Sequence, residues 1–182
     1  MFKEPENIAT LINSCKNNDR LAQEQLYRSY YRSMMNLCLR YTKDETSAME
    51  VLNIGFYKVF KNILRYDASK ASFYTWARTI IVNTCIDKIT PKQKDFITHE
   101  LKEAEEVNID ADAIQEMNAE AILQLVRSLP PATQAVFNLY IIEGYGHKEI
   151  SVLLKISEGT SKWHLSEARK KIQQSLKNQH NN

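Results

Sequence analysis

The stretch Glu149–Lys171, EISVLLKISEGTSKWHLSEARKK, decides the fold. It reads as two helices about a tight turn, the second basic and amphipathic. Ile150, Leu153, Leu154 and Ile156 are the apolar residues of the first helix and turn. Ser157 is placed to cap the second helix, with Glu158 in its first turn, where a negative charge complements the helix dipole. In that helix Ser161, Leu165, Ala168 and Ile172 recur at i, i+4, i+7 and i+11 and fall on one side. The other side carries Trp163, Ser166 and Lys170, flanked by Lys162, Glu167 and Arg169. A short helix with a packed back and a cationic, hydrogen-bonding front is how a helix-turn-helix presents its reader to the DNA major groove. The same pattern also suits a helical hairpin with a solvated basic face.

Working outward, 182 residues hold one medium domain or two small ones. Four Gly and four Pro favour long helices over turn-rich β architecture. The net charge of +2 is unevenly spread: residues 1–98 hold 15 Lys+Arg against 10 Asp+Glu, and 119–182 hold 8 against 5. Between them, 99–118 hold 1 against 7. Two mildly basic lobes joined by an acidic segment suggest nucleic acid for the lobes and a basic or RNA-accepting surface for the joiner. Cys15, Cys38 and Cys85 are far apart and odd in number, with no metal-ligand spacing, so buried reduced thiols and no metal are expected. No apolar run reaches about 18 residues and the N-terminus does not read as a signal peptide, so a soluble, cytoplasmic protein without membrane insertion is expected.

The remaining periodicity is helical throughout. Ile8, Leu11, Ile12 and Cys15 mark a short first helix ended near Asn17-Asn18. Asp19 can cap a second running toward Tyr41, and Asp44 or Thr46 opens a third with Ala48, Val51, Leu52, Phe56, Val59, Phe60 and Ile63 as its stripe. RYDASKAS at 65–72 breaks the pattern as a loop. A fourth helix follows from Ser72 to Ile89, with Phe73, Trp76, Ala77, Ile80, Ile81, Thr84 and Cys85 inward, and Pro91 ends it. Residues 91–118 read as a flexible acidic linker. From Ala119 a helix carries Ile122, Leu125, Val126 and Leu129 to Pro130-Pro131, and the next runs through Val136, Leu139 and Tyr140 to Gly144. The expected fold is all-α: helical domains at 1–90 and 119–182, joined by 91–118.

Two separated signatures now stand in a telling order. SLPPATQAVFNLYIIEGYGHKEISVLLKISEGTSKWHLSEARKKI resembles region 4 of bacterial RNA polymerase sigma factors. AMEVLNIGFYKVF, followed by SFYTWARTIIVNTCIDKI, resembles region 2 of their extracytoplasmic-function (ECF) subfamily. The resemblance covers nearly the whole chain, roughly 8–90 and 119–177. It implies a promoter-specificity subunit and not an enzyme, with core polymerase and promoter DNA as partners, an anti-sigma factor as a further one, and no cofactor.

The resemblance also implies the residues. Region 2 would meet the polymerase through Glu50, Asn53, Phe56 and Tyr57. The 65–72 loop and the start of the fourth helix would capture an unstacked −10 base, with Asn83 at its edge and Lys70, Arg78 and Lys88 on phosphates. In the recognition helix Lys162, Trp163, Ser166 and Glu167 would enter the −35 groove, while His164, Arg169 and Lys170 hold phosphates. Trp76 and Phe56 each have a core alternative on their apolar stripes, and Trp163 has one as a lid over the neighbouring helix. Met49 and Ile54 stand where acidic residues are common in the family, and Glu167 replaces a frequent Arg. Lys155 occupies the usual turn Gly, where a positive φ would cost about 1 kcal/mol.

Two other function classes fit parts of the chain. A stand-alone helix-turn-helix regulator shares the EI…GT…K pattern, yet usually brings an α/β receiver or ligand-binding domain. A helical adaptor would account for the helices but not for the basic outward face. Catalysis has no support: His99, His147, His164 and His180 lack a paired carboxylate or nucleophile at useful spacing, and no Gly-rich phosphate loop exists.

Overall fold

Asp19 begins the longest helix of the N-terminal half. Its carboxylate accepts from the amides of Leu21 (2.9 Å) and Ala22 (3.2 Å), satisfying donors that a helix start leaves open. The computed structural model of the protein describes residues 5–89 and 119–180. The acidic segment expected as a linker, 91–118, lies outside the described residues. All regular structure among the described residues is helical. The chain divides into two compact units, Met1–Cys85 and Ile86–Asn182.

The first unit contains α1 (Ile8–Lys16), α2 (Arg20–Leu39), α3 (Glu45–Lys61) and most of α4 (Phe73–Ile89), with a single 3-10 turn at Ile63–Arg65. α1 and α3 both pack on α2. Asp44 caps α3 by accepting from the Ser47 amide at 2.7 Å. Leu26, Tyr30, Met34, Leu37, Val51, Leu52, Phe73 and Ile81 are fully buried, each side chain contributing about 1.5–3 kcal/mol of hydrophobic stabilisation. Tyr30 meets Phe73 with ring centroids 5.2 Å apart, tying α2 to the start of α4. α3 approaches α4 closely at Gly55, where a Cβ would stand 2.8 Å from Cγ1 of Ile81. The three cysteines are buried and reduced. Burial, with the Asp19 charge nearby, pushes the Cys15 thiol up to about 11.

The second unit contains α5 (Ala119–Ser128), α6 (Pro131–Phe137), α7 (His147–Leu154) and α8 (Glu158–His180). Pro131 sits in the first turn of α6, where its missing N–H costs nothing. The helix expected to run unbroken to Gly144 changes hand-hold instead. After Phe137 it opens into a π-turn, Asn138–Ile142, closed by the Glu143 amide on the Asn138 carbonyl at 2.9 Å. Gly144 then takes φ +78°, and Lys155 ends α7 in the left-handed region at φ 56°, ψ 46°. α8 packs on α6 and α7. Its stripe of Ser161, Leu165, Ala168 and Ile172 is buried as the spacing predicts, and continues to Leu176.

Candidate nucleic-acid interface

The recognition helix is built from its cap outward. Ser157 Oγ accepts from the Thr160 amide at 2.9 Å and lies 2.9 Å from the Thr160 hydroxyl, fixing where α8 begins. With the stripe turned inward, a period of about 3.6 residues places Trp163, Glu167 and Lys170 on the front. Lys162 and Arg169 occupy one flank. Lys162 is exposed, whereas Trp163, Glu167, Arg169 and Lys170 are half-buried. Glu167 reaches Lys171 at 3.7 Å, which places a cation beside the carboxylate on this face. Trp163 stands edge-on to the His164 ring, with centroids 4.9 Å apart.

Two residues expected on the DNA side are largely withdrawn from solvent. His164 is 2% exposed, with Nδ1 3.0 Å from the Thr133 hydroxyl of α6. Standing one turn before Ala168, it shares the packed side of α8 and belongs to the core. Ser166 is 7% exposed although its register lies toward the front.

In the first unit the outward face of α3 carries Glu50, Asn53, Ile54, Tyr57 and Lys61. Tyr57 is 65% exposed, and the Lys61 ammonium stands 5.8 Å from its ring centroid. Asn53 accepts from the Tyr27 hydroxyl at 3.0 Å, which orients its amide. Phe56, expected on this face, is 2% exposed; it packs against Tyr27 (4.7 Å) and Phe60 (6.0 Å) and is core. The sequence puts Phe56 on the apolar stripe while the resemblance offers it to the polymerase, and packing against Tyr27 of α2 decides for the core.

The 65–72 loop folds over its own tyrosine. Tyr66 donates its hydroxyl to the Ala71 carbonyl at 3.1 Å and sets its ring against Phe73 (5.5 Å) and Trp76 (5.3 Å). Asp67 accepts from the Ser69 hydroxyl (2.7 Å) and amide (2.9 Å). Those bonds, with Lys70 and Lys16 adding to them, hold its carboxyl below the usual carboxylate range. Lys70 lies 3.8 Å from Asp67, leaving both groups solvated. Trp76 is half-buried, so it serves the aromatic cluster while keeping an edge in solvent.

Helical period separates the residues expected near the −10 element. Asn83 is exposed and shares a face of α4 with Trp76, Thr79 and Asp87. Arg78, half-buried, and Lys88, exposed, project to other sides of the helix, so the cations and the amide do not form one surface. Spacing along the sequence does not pair His147 with Ser161 or Thr133 with His164. A buried polar residue on a predicted packed stripe, as Ser161 is, was the signal that such a partner must exist.

Among the described residues no group of His, Cys, Asp and Glu is arranged to hold a metal ion, and no helix is long and apolar enough to cross a membrane.

Two helical units, one ending in a capped helix-turn-helix with a cationic front, define a DNA-reading class of protein. Residues 26–94 match sigma-70 region 2 and residues 119–172 match sigma-70 region 4. The chain belongs to the RNA polymerase sigma factors of the ECF group. It is similar to the RNA polymerase sigma-H factor of Pseudomonas aeruginosa, 22% identical over 94% of each chain. It is likewise similar to two Bacillus subtilis ECF RNA polymerase sigma factors. SigM is 26% identical over 82% of this chain and 91% of that one, and SigW is 25% identical over 93% and 97%. The fold is shared with the sigma factor RpoE of Bartonella quintana, solved with the anti-sigma factor NepR. That match has a TM-score of 0.53 at 13% identity, covering 85% of this chain and 96% of that one.

Proposed function

We propose that this chain directs core RNA polymerase to its promoters, reading the −35 element with α8 and opening the −10 element with the 65–72 loop and α4. The observation that carries the reading is the front of α8. Lys162, Trp163, Glu167, Arg169 and Lys170 surround a helix whose back is locked into the core. Glu167 accepts from a cytosine amino group, Trp163 covers a thymine methyl or sugar edge, and the cations hold phosphates. Polymerase docks on Glu50, Asn53 and Tyr57 of α3, with Ile54 adding an apolar contact. Asn83, two turns from Trp76 on the same face of α4, reads the edge of the extracted base. Lys70, Arg78 and Lys88 contact backbone phosphates from different sides of the loop and α4. The chain works in the cytoplasm and is not itself an enzyme. An anti-sigma factor, of the kind bound to the Bartonella quintana protein, restrains it by covering the same α3 face.

Charge sets the strength of free DNA binding. Residues 119–182 hold 8 Lys+Arg against 5 Asp+Glu, and each neutralised phosphate contributes about −0.9 to the salt slope. The isolated chain therefore binds promoters weakly at physiological salt, and specific binding requires core polymerase.

Run-off transcription with core enzyme tests this reading. Trp163→Ala should lower transcription from a −35-dependent promoter without weakening polymerase capture. Tight, sequence-specific promoter binding by the chain alone would sink it in favour of a stand-alone regulator.

A further inference from the structure

The hydroxyl of Ser161 is fully buried in the second turn of α8, on the side where the other stripe residues are apolar. Its partner comes from the other helix of the motif: Nδ1 of His147, the first residue of α7, lies 2.9 Å from Ser161 Oγ. The imidazole is itself held from behind. The Tyr140 ring stacks on it at 4.5 Å and 25°, and Tyr140 belongs to the π-turn Asn138–Ile142. The three residues thus connect the π-turn, the first helix of the motif and the recognition helix through one stack and one hydrogen bond. His147 also lies close to the DNA-facing flank. Burial lowers its pKa first, then the Lys162 charge, partly offset by Glu158, with Arg169 adding to the lowering. Lys162 and Arg169 are the cations that the proposed function places on the −35 element.

We propose that His147 and Ser161 are a positioning pair that sets the angle at which α8 enters the major groove, and hence how sharply −35 sequences are discriminated. The inference rests on α8 being the −35 reader. Neither residue touches DNA in this account. His147 acts through Ser161 on the roll of α8, and Tyr140 keeps the imidazole from turning away. Contacts to base edges are directional and a misplacement of about 1 Å is enough to lose them, so a small roll of the helix penalises a matched site more than a scrambled one.

The test measures open-complex formation by the full chain with core polymerase on two promoters that differ only in an intact or scrambled −35 element. The readout is the ratio of the two affinities. His147→Phe keeps a ring for Tyr140 and removes the bond to Ser161; Ser161→Ala removes the same bond from the other side. Each should lower the ratio about threefold to tenfold, the range that one lost hydrogen bond represents. The double variant should lose no more than either single one. His147→Asn, whose side-chain amide can reach Ser161, should recover part of the ratio. Lys162→Ala and Trp163→Ala are the controls for the underlying reading. If these two leave the ratio unchanged, the reader assignment fails and the positioning claim with it. If they lower it while His147→Phe and Ser161→Ala do not, only the positioning claim fails. Equal losses on both promoters from the pair variants, tracking a drop in melting temperature, would also overturn it, because a role confined to stability leaves the ratio fixed.

Discussion

Nδ1 of His164 lies 3.0 Å from the hydroxyl of Thr133 in the buried seam between α6 and α8. A histidine in a helix-turn-helix invites a phosphate contact, but here it joins two helices through residues 31 positions apart in sequence. Replacing it removes packing and leaves the Thr133 hydroxyl without this partner. His164→Ala should therefore destabilise the second unit by roughly 2–4 kcal/mol. Thr133→Val should cost about 1 kcal/mol, and the double variant less than the sum. Urea titrations of the four proteins measure the coupling. The salt slope of promoter binding by the holoenzyme should not change in the His164 variant, whereas loss of a phosphate contact would lower it by about 0.9.

Gly55 marks a second tight seam. Its added Cβ would lie 2.8 Å from Cγ1 of Ile81, a side chain that is itself fully buried and has little room to turn. In an exposed helix, Gly→Ala gains about 1 kcal/mol of helix propensity. Overpacking costs about 1–3 kcal/mol and should win here. Gly55→Ala is expected to lower the melting temperature of the first unit. Gly55→Ala combined with Ile81→Ala, which removes the colliding Cγ1 itself, should cost less than the sum of the two single losses. A gain in stability from Gly55→Ala alone would show that α3 and α4 can separate at little cost.

What was legible in the sequence is what local chemistry decides. Asp19, Asp44 and Ser157 cap the helices they were expected to cap, because an N-cap bond closes within three residues. The stripe from Ser161 to Ile172 is buried because helical period alone turns it inward. The misplaced residues are those whose surroundings come from distant chain. Phe56 lies at the edge of its stripe, and the Tyr27 ring, on another helix, closes over it. His164 has a surface residue's polarity, and its partner Thr133 cannot be found by spacing. The π-turn at Asn138–Ile142 has no local sequence signal, yet it places Tyr140 against His147. Of the candidate interface, the front of α8 was readable and the framework that aims it was not.

Lys155 ends α7 at φ 56° and ψ 46°, a left-handed conformation in which a side chain with a Cβ is strained by about 1–2 kcal/mol. Its side chain is exposed, so a substitution loses little packing. Lys155→Gly relieves the strain but adds freedom to the unfolded chain, leaving a net gain of up to about 1 kcal/mol. The gain should appear in equilibrium unfolding of the full chain. Lys155→Val should do the opposite, because a β-branched residue tolerates positive φ worst. If Gly and Val behave alike, the Lys155 turn is not strained.

Stability of the second unit should also depend on pH through His147. Its folded pKa lies below the ordinary 6.5, chiefly because burial disfavours the imidazolium, and then because Lys162 and Arg169 stand near it against the opposing Glu158. Between the folded and unfolded values the unfolded chain binds more protons, so unfolding gains ground as acid is added. The contribution is therefore fully present above pH 6.5 and fades as pH falls through the lower, folded pKa. Denaturation midpoints measured across that window should drop toward acid in the native chain. His147→Asn, which has no proton to take up, should flatten the slope that belongs to this residue. The ring protons of His147, followed by NMR, should titrate below those of an unstructured histidine; a midpoint above 6.5 would reverse the sign and remove the argument.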